Sequence, residues 1–176
     1  SIVTSNSGSE PGADIQITVG TLNLDGSTIT TETLGDGNGG NLTADVGTLS
    51  LTNSAAINSN NFSVGTDLNG DGVADVFGVG GNVTVEGLAG TGSAAESVTL
   101  NIGATLTTQT FGPGKSGDVQ ISAARVGLDG AFINTYTYGL GNGGGVELNA
   151  GTLTIENFSQ ILTQTLFGGG VGGDVV

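Results

Sequence analysis

Gly39-Gly40-Asn41-Leu42-Thr43-Ala44 states a phrase that returns along the whole chain: a glycine-rich turn, a small polar residue, then alternating apolar residues. Asp14-Ile15-Gln16-Ile17, Asn82-Val83-Thr84-Val85, Asp118-Val119-Gln120-Ile121 and Gly145-Val146-Glu147-Leu148 repeat it, and Gly172-Gly173-Asp174-Val175 begins it again. Counted from the residue before the first apolar position, the phrase starts at 14, 41, 82, 118, 145 and 174. The shortest interval, 27 residues between 14 and 41 and again between 118 and 145, is the basic unit. The intervals of 41 and 36 hold insertions, near 65–79 and 87–95. A repeat of this length is one coil of a stack.

Two further apolar groups recur inside each unit: Leu22/Leu24 then Ile29, Leu49/Leu51 then Ile57, Val98/Leu100 then Leu106, Val126/Leu128 then Ile133, and Leu153/Ile155 then Ile161. Each coil therefore carries three short strands of period two. Such a unit cannot satisfy its own strand edges, and it does so only when the next coil lies on it, about 4.8 Å away. The expected fold is all-β: a parallel β-helix, or solenoid, of about five coils, forming a single module over 1–176. A β-sandwich also suits short, regularly spaced strands, but it does not require turns that repeat in kind. The chain is expected to be a piece of a longer protein.

Composition fits a narrow stacked interior. Only 36% of the residues are hydrophobic, so the core is built from Val, Leu, Ile, Ala and Thr, while 35 glycines fall at fixed phases of the repeat and mark turns. Sixteen acidic residues face Lys115 and Arg125 alone, for a formal charge of −14. That balance repels nucleic acid and anionic membranes and attracts divalent cations. With no Cys or His, any metal must be a hard cation held by oxygen. No apolar run is long enough to span a membrane as a helix, so no direct membrane insertion is expected.

Gly37-Asn38-Gly39-Gly40-Asn41-Leu42, running on through Gly47-Thr48-Leu49-Ser50-Leu51-Thr52-Asn53, and Thr110-Phe111-Gly112-Pro113-Gly114-Lys115-Ser116-Gly117-Asp118-Val119 carry a family likeness. They resemble the degenerate repeats of bacterial two-partner-secretion exoproteins of the filamentous-haemagglutinin type, from about Gly12 to the end. The resemblance implies a right-handed parallel β-helix, export through a dedicated partner pore, and adhesive or surface-filament roles. Its implied location is secreted or on the outer cell surface. Its implied partners are neighbouring coils or subunits of the same protein, and a cell-surface receptor or polysaccharide.

One phase of the repeat reads Thr31-Glu32-Thr33, Ser59-Asn60-Asn61, Thr108-Gln109-Thr110, Thr135-Tyr136-Thr137 and Thr163-Gln164-Thr165. Facing outward, this ladder would resemble the ice-binding surface of β-helical antifreeze proteins. Strand alternation favours the opposite face, because the threonines follow inward Ile29, Leu106, Ile133 and Ile161 by two and four places. Outward threonines would bury Glu32, Asn60, Gln109 and Gln164 at roughly 1–3 kcal/mol for each unpaired polar group. The threonines are therefore expected inside, hydrogen-bonded along the stack.

The insertion at 65–79 contains Asp67-Leu68-Asn69-Gly70-Asp71-Gly72-Val73-Ala74-Asp75. Oxygen donors at alternate positions, with a glycine for the sharp turn, suit a calcium ion. Asp67, Asn69, Asp71 and Asp75 would supply side-chain oxygens and Val73 its carbonyl. The twelfth position is Gly78 where an EF-hand has Glu, so the string is more similar to the shorter calcium loops of FG-GAP and dockerin-type repeats. A second match, Gly169 to Val176 with the nonapeptide of calcium β-rolls, coincides with an ordinary turn of the repeat.

No catalytic residue is expected. Arg125 takes the place of Thr21, Thr48 and Thr152 in other coils, and Asp118 lies between Asn82 and Gly145 without a carboxylate partner. The recurring Asp14, Asn41, Asn82, Asp118 and Asp174 suit turn chemistry, bonding to nearby backbone. The expected function is thus a non-catalytic structural or adhesive module with a calcium-ordered loop. The alternatives are a carbohydrate-binding or polysaccharide-cleaving β-helix, motivated by Tyr136 and Tyr138, and an ice-binding one.

Overall fold

The computed structural model describes residues 1–167 and 169–176, and these form a parallel β-solenoid of about six turns. The strands are β1 (Ile2–Asn6), β2 (Ile15–Asp25), β3 (Thr28–Thr33), β4 (Leu42–Thr52), β5 (Ala56–Asn61) and β6 (Val83–Glu86). They continue as β7 (Ala95–Asn101), β8 (Thr105–Thr110), β9 (Val119–Asp129), β10 (Phe132–Thr137), β11 (Val146–Glu156) and β12 (Gln160–Thr165). One sheet runs β1-β3-β5-β8-β10-β12, and the other runs β2-β4-β6-β9-β11 with β7 beside β6, between β4 and β9. All of these pairings are parallel.

The alternating apolar residues become ladders through the column. Ile2, Ile29, Ile57, Leu106, Ile133 and Ile161 stack in one sheet. Leu24, Leu51, Leu100, Leu128 and Ile155 stack in the other. Burial is complete in the middle coils, while Leu153 and Ile155 at one end are partly exposed. The first two strand segments of each coil run together as one strand of 11 residues in four coils. The inward phase slips by one residue within it: Leu42, Ala44 and Val46 face in, then Leu49 and Leu51. Gly47 sits at the slip, where the strand bends from one face of the column to the next. Only the coil with the second insertion keeps three separate strands, because residues 87–94 interrupt β6 and β7 at that bend.

Strand β1 extends the repeat further toward the first residue than the phrase at Asp14 indicates, pairing Ile2 with Ile29 and Thr4 with Thr31. Its Ile-x-Thr spacing is the signal for it in the sequence.

The threonines face inward. Thr31, Thr33, Ser59, Asn61, Thr108, Thr110, Thr135 and Thr137 are all buried. The threonine bonds run across the coil to the glycine-rich return, which corrects the expectation of bonding along the stack, whereas Ser59 and Asn61 reach the preceding return at Gly40 O and Gly37 O. The Oγ1 of Thr31 donates to Gly40 O (2.8 Å), that of Thr108 to Gly117 O (2.6 Å) and that of Thr135 to Gly144 O (2.6 Å). The return runs close beneath the sheet and its carbonyls have no ladder partner there, so the hydroxyls supply the missing donors.

The Asp/Asn series does bond along the stack. Asp14 Oδ1 accepts from Asn41 N–H (2.6 Å), Asn41 Oδ1 from Asn82 N–H (3.0 Å), Asn82 Oδ1 from Asp118 N–H (2.8 Å) and Asp118 Oδ1 from Gly145 N–H (2.7 Å). Each side chain thus serves the next coil, where turn chemistry predicts a partner within its own.

Candidate functional site

The first insertion leaves the column after buried Ser63 and returns at Gly78, which packs against the Gly37 carbonyl of the coil below. Its neck is a single antiparallel bridge between Thr66 and Val76. Thr66 N–H donates to Val76 O (2.7 Å) and Asp75 N–H to Thr66 O (2.9 Å). Asp36 of the preceding turn ties the neck down, accepting from Ser63 Oγ at 3.1 Å and from Thr66 Oγ1. Val76 and Phe77 do not pack onto the column: they are 41% and 43% exposed, and the tie through Asp36 holds the neck instead.

Beyond the neck, all five sequence-predicted calcium ligands lie on one exposed hairpin. Asp67 is its hub: Oδ1 accepts from Gly70 N–H (2.6 Å) and Asn69 N–H (3.2 Å), and Oδ2 from Gly72 N–H (2.8 Å). Gly70 and Gly72 take φ of 77° and 85°, conformations that present those amides and that other residues rarely adopt. Asp75 folds back onto the same segment, with Oδ2 accepting from Leu68 N–H (2.9 Å) and Oδ1 from Asn69 Nδ2 (3.4 Å). Asp71 caps Val73 N–H (2.8 Å) locally. Among the described residues, no three His, Cys, Asp or Glu side chains are grouped so as to hold a metal ion.

The amides of Gly72 and Gly70 hold the Asp67 carboxyl below its ordinary value of 3.8, outweighing the opposing effect of desolvation. A depressed carboxylate lends stability that is fully present above the unfolded value and is lost as pH falls through the folded one. The hairpin is therefore expected to loosen below about pH 3.8, read as lost amide protection relative to the intrinsic exchange rate at Gly70 and Gly72, whereas Asp67→Asn removes that pH step.

The two basic residues are engaged. Lys115 Nζ pairs with Asp118 at 2.9 Å and Arg125 with Glu96 at 3.4 Å, both at the surface. Arg125 stacks between Ser97 and Thr152 at the expected phase.

Phe62, Phe111 and Tyr138 form a lateral ring stack, with centroids 5.0 and 4.5 Å apart. Phe167 extends it at 6.4 Å, supplying a ring where the backbone phase has Leu166. Tyr136 leans on Tyr138 at 6.0 Å, and its hydroxyl is pushed up by burial and by that neighbour. Because the ring faces lie against one another, mainly their edges are open to solvent, which suits packing against another surface better than stacking on a sugar.

Sequence reasoning passed over one pair. Asp45 and Glu86 each stand four residues after the start of the phrase, and the register makes them direct neighbours on β4 and β6. They lie in a cleft of about 550 Å³ on the outer face of the second sheet, roofed by Gly90, Thr91 and Gly92 of the second insertion. The signal was the shared offset from Asn41 and Asn82, hidden by an interval of 41 residues instead of 27.

Among the described residues no helix is long and apolar enough to cross a membrane. No protein-family model matches the chain, no curated protein is similar to it, and no solved structure matches it.

Proposed function

We propose that the chain is a non-catalytic structural and adhesive module of a secreted or cell-surface protein, built to extend and pack as a column, with a calcium-ordered hairpin at 67–75. The observation that carries this reading is where the recurring polar groups are used. The threonine hydroxyls hold the glycine-rich return, the Asp/Asn series holds successive coils, and both basic side chains are paired. These recurring polar groups are occupied in keeping the column together.

The lateral ring stack, with Phe111 and Phe167 exposed, offers an apolar seam for side-by-side packing of columns or for a receptor. The hairpin's donors are all oxygen, with no basic residue among them, which fits a hard cation. Asp67, Asn69, Asp71, Asp75 and the Val73 carbonyl would hold calcium, whose charge offsets three carboxylates within nine residues.

Limited proteolysis tests the calcium part. Calcium chloride is expected to protect residues 64–77 from cleavage, and Asp67→Asn to abolish the protection. Equal cleavage with calcium and with EDTA would remove calcium from the reading. Electron micrographs of the purified chain should show laterally associated columns, and dispersed particles at every concentration would count against the packing role.

A further inference from the structure

The second insertion covers a pair of buried acids. Asp45 is 6% exposed and Glu86 7%, so both carboxylates are more than nine-tenths removed from solvent. They hold paired register positions on adjacent parallel strands, whose backbones lie about 4.8 Å apart along the stack, so two acidic residues stand in successive coils with no residue between them. Asp45 uses one oxygen: Oδ2 accepts from Thr18 Oγ1 (3.1 Å) and Gln16 Nε2 (3.2 Å). Its other oxygen, Oδ1, is buried and has no hydrogen-bond partner, the only such side-chain atom among the described residues. Glu86 Oε2 accepts from Gly92 N–H (2.8 Å), which pins the 87–94 loop over the pair.

A buried carboxylate oxygen without a donor, next to a second buried carboxylate, calls for a positive charge. The protein does not supply one, since Lys115 and Arg125 are paired with Asp118 and Glu96. The cleft around the pair is lined by further oxygen donors, among them Thr43, Thr84, Ser122 and Asn149. Carboxylates with neutral hydroxyl and amide oxygens, and no nitrogen base or sulfur, are the ligand chemistry of a hard divalent cation that tolerates irregular geometry.

We propose that Asp45 and Glu86 form a second cation site, of calcium class, between coils and beneath the 87–94 loop. Asp45 Oδ1 and Glu86 are the charged ligands, and the loop closes over the ion through Gly92. The site joins two coils at the position where β6 and β7 are interrupted, so the ion replaces strand continuity as the local tie. It stands apart from the hairpin at 67–75 and does not depend on that hairpin binding metal.

The test is isothermal titration of calcium chloride into the EDTA-stripped full chain, with Asp45→Asn, Glu86→Gln and Asp67→Asn compared. The two substitutions at the pair preserve shape and remove one charge each, and circular dichroism checks that each variant retains its β signal. The expected result is a binding event that either substitution weakens about tenfold or more and that Asp67→Asn leaves in place. Binding lost in Asp67→Asn but unchanged in Asp45→Asn and Glu86→Gln would overturn this site while sustaining the hairpin. No calcium heat in the unmodified chain would overturn it as well.

Discussion

Replacing Gly117 by alanine is expected to lower stability by about 3 kcal/mol or more, a drop of roughly 10 °C in the melting midpoint for a chain of this size. The reason is contact, not turn conformation. A Cβ on Gly117 would fall inside the contact radius of the Gly81 carbonyl group, and Gly144 stands on Gly117 in the same way. Gly40, Gly81, Gly117, Gly144 and Gly173 form a continuous column of close backbone approaches. Every atom the methyl meets is backbone, so no side chain can swing aside, and relief requires widening the coil spacing that the parallel ladders set at about 4.8 Å. Gly127→Ala is the matched control: it lies in strand β9, and a Cβ there meets nothing within 4 Å. Its melt is expected to stay level or rise slightly, since glycine within a strand costs backbone entropy. Thermal melts followed by circular dichroism separate the two, and coincident midpoints would refute the steric account.

That column shows what the sequence carried and what it concealed. The phase of the apolar residues was enough to place Ile57, Leu106 and Ile133 in one inward ladder and to send Thr108 and Thr135 in with them, because strand periodicity leaves no other face. The same spacing located both insertions. The glycines were legible as turns, yet their steric necessity depends on which glycine lies above which, and that follows only from the coil register. Thr108 could be assigned inward, but not to the Gly117 carbonyl, since its partner is fixed by how tightly the return folds beneath the sheet. The hairpin at 67–75 was visible because all of its donors are local in sequence. Asp45 and Glu86 were not visible as a pair, because an insertion stands between them and only strand pairing restores their adjacency. The facing of each side chain and the local hairpin were thus readable from spacing, whereas the Thr108 partner needed the path of the return and the contacts between coils needed the register.

Leu106→Ala is expected to cost about 3–4 kcal/mol and to split the unfolding transition. Leu106 is fully buried between Ile57 and Ile133 in the stacked ladder. The cavity left by truncation cannot collapse easily: glycine contacts and hydrogen bonds fix the coil spacing on one side, and the two sheets fix the width on the other. Ile161→Ala removes a similar group from the last rung of the same ladder, where the side chain is only partly buried, and should cost less than half as much. In a solenoid, stability is close to a sum of coil and neighbour terms, so weakening a middle coil uncouples what lies on either side of it. The chain's two tyrosines, Tyr136 and Tyr138, both lie beyond Leu106, and there is no tryptophan, so tyrosine fluorescence reports only the later coils while circular dichroism reports all of them. In urea, the two probes should separate for Leu106→Ala and coincide for Ile161→Ala. Coincident curves with an unchanged midpoint for Leu106→Ala would mean that neighbouring side chains fill the space, and that the column is less rigid than its glycine contacts require.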